Sequence, residues 1–362
     1  MSTSNSDSTL SDEKNNKEQN KIEINDIYKE SSFYPWIKPD SQFHYQTGMA
    51  KLHCEILDFY HFIQLNNEEK ELRNKTYNDI KNIIEENFPD CTCELYGSFK
   101  TGLSLPNSDI DILILPKEVT MDDNNLDIRN DTILLKYLKK IYNIFEEKNI
   151  FSYLEIIIAK VPIIKCIYRK TNINVDISLF KENGAIAVKL VDKIININPD
   201  MKPLILLIKY ALRQRDLNEI YKGGVSSFII FTLLYYYIVH YKKTNEYIMK
   251  NGKKEEIKTL GFLLLGFFTF YGFDFNYKRL GISIRNGCFL YKRTDESKHI
   301  LSVENFQDIT DMGKNCFQFK KVIEFFKFGK ESLICHDYNV ESFLKGFIFP
   351  DSILRERALK YK

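Results

Sequence analysis

The chain has 362 residues, a formal net charge of +2, 44% hydrophobic and 28% charged residues. That composition is globular, and the length allows two domains with a sizeable core. Such a small charge excludes a strongly basic nucleic-acid binder, so any hold on nucleic acid must come from a local groove or a partner.

Residues 1–33 are Ser, Asn, Asp, Glu and Lys with few apolar positions, which predicts a disordered tail and no signal peptide. Residues 49–87 predict two helices. Leu52, Ile56, Phe59 and Tyr60 recur at helical steps, as do Leu72, Tyr77, Ile80 and Ile84, and Pro89 ends the second. The pattern then switches to strands rich in Ile and Val at 93–96, 110–115, 154–168 (with a bend at Pro162) and 173–180. Between the second and third lies an amphipathic helix, 132–147. Together these predict a small α/β unit with a mixed sheet and helices on one side. The seven cysteines are scattered, without C-x-x-C pairs, and fit a reduced intracellular protein.

The chemistry concentrates in YGSFKTGLSLPNSDIDILILP, residues 96–116. Gly97 and Gly102 allow the loop to bring its N–H groups close to a ligand, and Ser98 adds a hydroxyl. Asp109 and Asp111 are two apart on an apolar strand, so they project from one face and repel unless a cation lies between them. For all-oxygen ligands holding phosphates, Mg²⁺ is the natural cation, with Mn²⁺ as the alternative. A Gly-Ser turn followed after ten residues by Asp-Ile-Asp points to nucleotidyl transfer. Asp176, in the alternating strand INVDISLF, can lie beside the Asp109/Asp111 strand and complete a two-metal site.

From residue 186 the chain reads as mostly helical. The apolar run 225–241 fits a buried helix better than a membrane span. Ser226 and Ser227 sit at its first turn, placed either to hold phosphate or simply to cap the helix. The aromatic stretch 267–277 reads as core, and the basic end 355–362 as a solvated helix end rather than an RNA contact.

These segments, with QRDLNEIYKGGVSSF, FFTFYGFDFNYKRLGISI and VENFQDITDMGKNCF, resemble the Trf/PAPD class of non-canonical poly(A) polymerases over roughly residues 34–330. The resemblance implies an α+β architecture: a polymerase-β-like nucleotidyltransferase domain at 89–185 and a helical PAP-associated central domain at 186–330. Helices at 34–88 would pack with the central domain, a nucleotide-recognition loop would lie near 302–317, and 331–362 would be a helical extension. It also implies roles. Asp109, Asp111 and Asp176 would bind two Mg²⁺ ions. Gly97, Ser98, Lys209, Arg213 and Ser227 would hold the triphosphate, Phe228 would stack on the base, and Asp311 would lie in the recognition loop. Thr310 and Lys314 stand where the family has asparagine and arginine, and Ala187 where uridylyl-adding and cytoplasmic relatives often have asparagine.

The implied activity is addition of AMP from ATP to RNA 3′ ends in nuclear RNA surveillance linked to exosome decay. A zinc-knuckle RNA-binding protein and a DExH-type helicase are the implied partners in a TRAMP-like complex, without a membrane. Thr310 keeps a terminal uridylyltransferase as the alternative. A catalytically weak scaffold is a further one, opposed by the retained aspartates, Gly-Ser turn and Lys209.

Overall fold

The computed structural model describes residues 34–37, 48–116, 131–158, 162–179, 182–250, 259–294, 298–334 and 340–360. The tail predicted at 1–33 lies outside them. Two helices open the described chain, α1 (Gly48–Ile63) and α2 (Asn67–Asn87). Asn66 starts α2 with a capping box: its side chain accepts from the Glu69 N–H at 2.8 Å, and Glu69 accepts from the Asn66 N–H at 2.9 Å.

A five-stranded sheet follows, made of β1 (Cys91–Tyr96), β2 (Ile110–Pro116), β3 (Phe151–Ile157), β4 (Ile163–Tyr168) and β5 (Ile173–Leu179), with the single helical turn α3 (Gly97–Lys100) directly after β1. Its order is β1-β2-β5-β4-β3, and only β2 and β5 run parallel. The stretch expected as one strand bent at Pro162 is instead two antiparallel strands, β3 and β4. Proline has no N–H for the ladder, and Pro162 stands outside the pairing, just before β4. One sheet face is apolar: Ile112, Ile114, Ile164, Val175 and Ile177 pack with Ile80 and Ile84 of α2 and with Leu138, Ile141 and Phe145 of α4 (Asp131–Lys148). Alternation therefore sends Asp111, Lys165 and Asp176 to the other face.

The helical part contains α5 (Glu182–Ile197), α6 (Met201–Arg213), α7 (Ser227–Lys250), α8 (Leu260–Thr269) and α9 (Phe319–Ile334). It also holds a small hairpin, β6 (Leu280–Ser283) with β7 (Phe289–Lys292), and ends in α10 (Ser352–Lys360). Its core is aromatic, with Phe267, Phe268, Tyr271 and Phe326 fully buried and packed ring against ring. Phe273 is the exception in this stretch and stays exposed. Among the described residues no helix is long and apolar enough to cross a membrane.

The N-terminal helices divide between the two cores. Trp36 and α1 join the helical core, where Phe59 packs edge-on against Trp36 and Tyr210, whereas α2 backs the sheet. The basic C-terminal helix is solvated only in part: Arg355 and Lys360 are exposed, as expected, but Arg357 is not. Arg357 is only 3% exposed; it donates to the Phe62 and Gln64 carbonyls and pairs with Glu69 at 2.6 Å, which locks α10 onto the α1–α2 connection. A run of basic residues says nothing about a partner nearly 300 positions away.

Candidate active site

Register places the carboxylates. Tyr96 pairs with Asp111 across β1–β2, Asp111 with Asp176 across β2–β5, and Asp176 with Lys165 across β5–β4. These residues form one rung on the polar face. Asp109 stands just before β2, and Asn174 of β5 donates to its Oδ1 at 3.1 Å. The Lys165 ammonium lies between two of the acids, 3.4 Å from Asp109 Oδ2 and 3.8 Å from Asp176 Oδ1. The longer of these is beyond hydrogen-bond distance, and Asp176 Oδ1 is buried without a hydrogen bond.

The Gly-Ser turn closes over Asp111. Gly97 has φ +66°, and a Cβ there would fall 2.0 Å from Asp111 Oδ2. The Ser98 N–H bonds to the Asp111 carboxylate, and the Ser98 hydroxyl meets that of Ser104 at 3.1 Å. A Gly97→Ala protein is therefore expected to lose about a hundredfold or more in catalytic rate, because the turn and Asp111 cannot both keep their places. Steady-state assay of the purified variant measures this.

Three cations hold the loop between Gly97 and Asp109. Lys209 Nζ donates to the Leu103 carbonyl at 3.1 Å, Arg213 to that of Asn107 at 3.1 Å, and Arg73 to those of Ser108 and Pro106 at 2.7 Å each. Lys209 and Arg73 are each 4% exposed. Burial, together with the neighbouring Arg213, lowers Lys209 to about 8, although Asp111 and Asp109 pull the other way. Burial likewise raises Asp111 to about 7, with Asp176 and Asp109 adding repulsion. Burial also raises Asp176 to about 6; Lys165 opposes the shift and Asp109 adds to it.

Such a cluster suits a divalent cation. All its donors are carboxylate oxygens, one buried oxygen lacks a hydrogen bond, and burial raises two of the acids, with repulsion adding to the shift at Asp111. Among the described residues no three His, Cys, Asp or Glu side chains form a ready-made cage. In this arrangement Lys165 balances Asp109 and Asp176.

The expected nucleotide contacts divide into two sets. Gly97, Ser98, Lys209 and Arg213 adjoin the carboxylates through the loop. Ser227 and Phe228 begin α7, where Ser226, not Ser227, caps the helix by accepting from the Ile229 N–H at 3.2 Å. Phe228 is partly buried, with Phe231 and Phe306 rings each 5.7 Å away. Both Asp311 carboxylate oxygens are engaged by near neighbours, accepting from His299, Ser302, Val303 and Gly313. Burial pushes Asp311 up, but the bonds from Ser302, His299 and the two backbone N–H groups outweigh it and hold the carboxyl below its usual range. Lys165, Arg73 and Asn174 escaped the sequence reading. Lys165 alone left a signal, standing in an alternating strand whose register against Asp176 only the fold supplies.

A Gly-Ser turn over a paired-aspartate strand, with a third aspartate on the adjacent parallel strand, defines a polymerase-β-like nucleotidyltransferase fold joined to a helical domain. Residues 52–194 match the family described as "Poly(A) RNA polymerase, mitochondrial-like, central palm domain", and residues 259–319 match "Cid1 family poly A polymerase". The chain belongs to this non-canonical poly(A) polymerase family. It is 28% identical to Poly(A) RNA polymerase protein 1 of Saccharomyces cerevisiae over 86% of this chain and 48% of that protein. The polymerase core of TRAMP, an RNA surveillance complex, superposes with a TM-score of 0.71 at 25% identity, covering 90% of this chain and 99% of that one. The Cid1 poly(U) polymerase with MgGTP bound has the same fold, with a TM-score of 0.67 at 19% identity over 82% of this chain and 98% of that one. The chain spans between about a third and a half of the length of the first curated relatives it matches.

Proposed function

We propose that the chain is a template-independent RNA 3′-end nucleotidyltransferase that adds AMP from ATP, using two Mg²⁺ ions. The observation that carries this reading is the carboxylate rung: Asp111 and Asp176 side by side on parallel strands, Asp109 alongside, and the Gly97–Ser98 turn closed over Asp111. Asp109, Asp111 and Asp176 would hold the ions, which when bound supply charge neutralisation to the triphosphate and activation to the attacking hydroxyl.

The residues of the chain do the rest. The RNA 3′-hydroxyl attacks the α-phosphorus, a new P–O bond forms and pyrophosphate leaves. Asp176, whose Oδ1 makes no hydrogen bond, is the carboxylate available at the attacking oxygen. Lys209, anchored beside the loop, offers a cation to the phosphates, and Phe228 offers a ring face to the base. Nuclear RNA surveillance within a TRAMP-like complex is the setting that the family supports, with a zinc-knuckle protein and a DExH-type helicase as partners.

Base choice rests on the recognition loop. Thr310 replaces the usual asparagine there, and its hydroxyl donates to Asp308 at 2.6 Å, so it is tied within the loop. That observation keeps uridylyl transfer as the second reading. The test is extension of a labelled unstructured RNA with each nucleoside triphosphate separately, beside an Asp109→Ala/Asp111→Ala protein. Extension with ATP, absent in the double variant, is expected. Preference for UTP would transfer the assignment to a uridylyltransferase. No extension with any nucleotide, with or without the two partners, would overturn transferase activity altogether.

A further inference from the structure

Two of the most exposed large apolar side chains sit together beside the carboxylate rung. Tyr221 is 77% exposed and Phe317 is 69% exposed. Neither is loosely held. Tyr221 lies in a single 3₁₀ turn, Ile220–Lys222, closed by the Gly223 N–H bonding to Ile220 O at 2.9 Å, with Gly223 at φ +83°. Its hydroxyl bonds to Glu219, and the Lys222 ammonium lies 5.7 Å from its ring. Phe317 covers Gly223: a Cβ on that glycine would fall 2.3 Å from the ring. The next residue fixes the strap, since the Gln318 N–H donates to Gly223 O at 2.8 Å and its side chain to Lys222 O at 2.5 Å. Two aromatic rings thus project to solvent from adjoining, rigid backbone.

Their position gives the rings a task. Tyr221 lies within electrostatic reach of Lys165, which bridges Asp109 and Asp176. The same loop leads directly into Ser227 and Phe228 at the start of α7. Tyr221 therefore lies on the Lys165 side of the site, with Phe317 near it over Gly223. Ordering exposed aromatics against water has no folding benefit, but it suits a flat ligand with π faces. The Lys222 ammonium beside them is already paired with Asp216 and Glu219 at 3.0 Å each, so the rings themselves carry the hold on the ligand.

We propose that Tyr221 and Phe317 form a stacking platform for the last bases of single-stranded RNA entering the active site. This inference rests on the transferase reading above and names the residues that hold its RNA substrate. Stacking accepts every base, so the platform gives affinity without sequence choice.

The test measures binding of a fluorescent single-stranded oligoribonucleotide by anisotropy, together with separate KM values for RNA and nucleotide. Tyr221→Ala and Phe317→Ala are each expected to weaken RNA binding, and to raise the RNA KM, about 5- to 100-fold. The nucleotide KM and melting temperature should stay unchanged. Tyr221→Phe keeps the ring and should behave as wild type. Unchanged RNA affinity in the double alanine variant would overturn the platform. So would equal losses in Tyr221→Phe and Tyr221→Ala, which would assign the effect to the Glu219 tether instead. The two readings fail separately. Wild-type protein that binds RNA through these rings but extends it with no nucleotide would sink the transferase and leave the platform. Normal extension with an unchanged RNA KM in the double variant would do the reverse.

Discussion

Asp111→Asn is expected to abolish nucleotide addition and yet to raise the melting temperature in metal-free buffer at pH 8. The first effect follows from the position of Asp111 under the Gly97–Ser98 turn and beside Asp176. Loss on the order of a thousandfold or more is the scale for removing a group that acts directly on transition-state charge. The second effect follows from linkage. Burial, with repulsion from Asp176 and Asp109, lifts the folded-state value of Asp111 from 3.8 to about 7. The folded protein therefore holds this proton more tightly than the unfolded chain. Its stabilising contribution is complete below the unfolded value and is lost as pH rises through the folded one. Asp176, raised to about 6, has the same sign and an overlapping window. Lys209, lowered to about 8, is protonated in both states below pH 7 and leaves that slope alone.

At pH 8 the wild-type protein thus carries a charged cluster that costs roughly 2–4 kcal/mol, taking about 1.4 kcal/mol per pKa unit as an upper scale. Asparagine is nearly isosteric and removes that cost. Melting curves from pH 4 to 8 should converge for the two proteins at the acid end, separate progressively above about pH 4 and keep a constant gap above about pH 7. Mg²⁺ should then raise the wild-type melting temperature and leave that of the variant nearly unchanged. A variant that melts lower than wild type at pH 8, or that still extends RNA, would refute the assignment of Asp111 as a repelled metal ligand.

This site was more legible than the fold around it. Asp109, Asp111 and Gly97 stand close in sequence, so local spacing conveys their proximity. Asp176 is further off, but alternation put it on a polar strand face, and the parallel pairing of β2 with β5 brought it to Asp111. Lys165 needed more: it opposes Asp176 only through the β4–β5 register, and the misread single strand over 154–168 hid that register. Arg73 lies on an amphipathic helix, where an arginine reads as solvated; its partners are carbonyls more than thirty positions away. Arg357 failed the same way across a larger gap. Periodicity reports which face of an element is apolar. It does not report which charged residue finds a buried carbonyl, because that pairing belongs to the docking of distant elements.

Glu55 is the strongest such case, and Glu55→Ala is expected to cost several kcal/mol of stability. In the sequence it is one acid on a helix; in the fold it is 6% exposed and surrounded by donors. Trp36 Nε1 reaches it at 3.0 Å, the Phe343 N–H at 2.7 Å and the Leu344 N–H at 3.3 Å, and the Ser342 hydroxyl completes the set. Burial pushes the carboxyl up, and these four bonds pull it back. One side chain therefore fastens a segment before α1 and a segment after α9 to the same point of the helical core. Alanine would leave four buried donors without an acceptor, each costing about 1–3 kcal/mol. The total is a large part of the roughly 5–15 kcal/mol that holds an ordinary domain folded. Glu55→Gln keeps an acceptor but turns an N–H₂ toward other donors, so it should fall between wild type and alanine. Urea titration should show a lower midpoint for both variants, with alanine lowest. A Glu55→Ala midpoint equal to that of wild type would mean that water replaces the carboxylate at no cost and that this junction is not a fastening point of the fold.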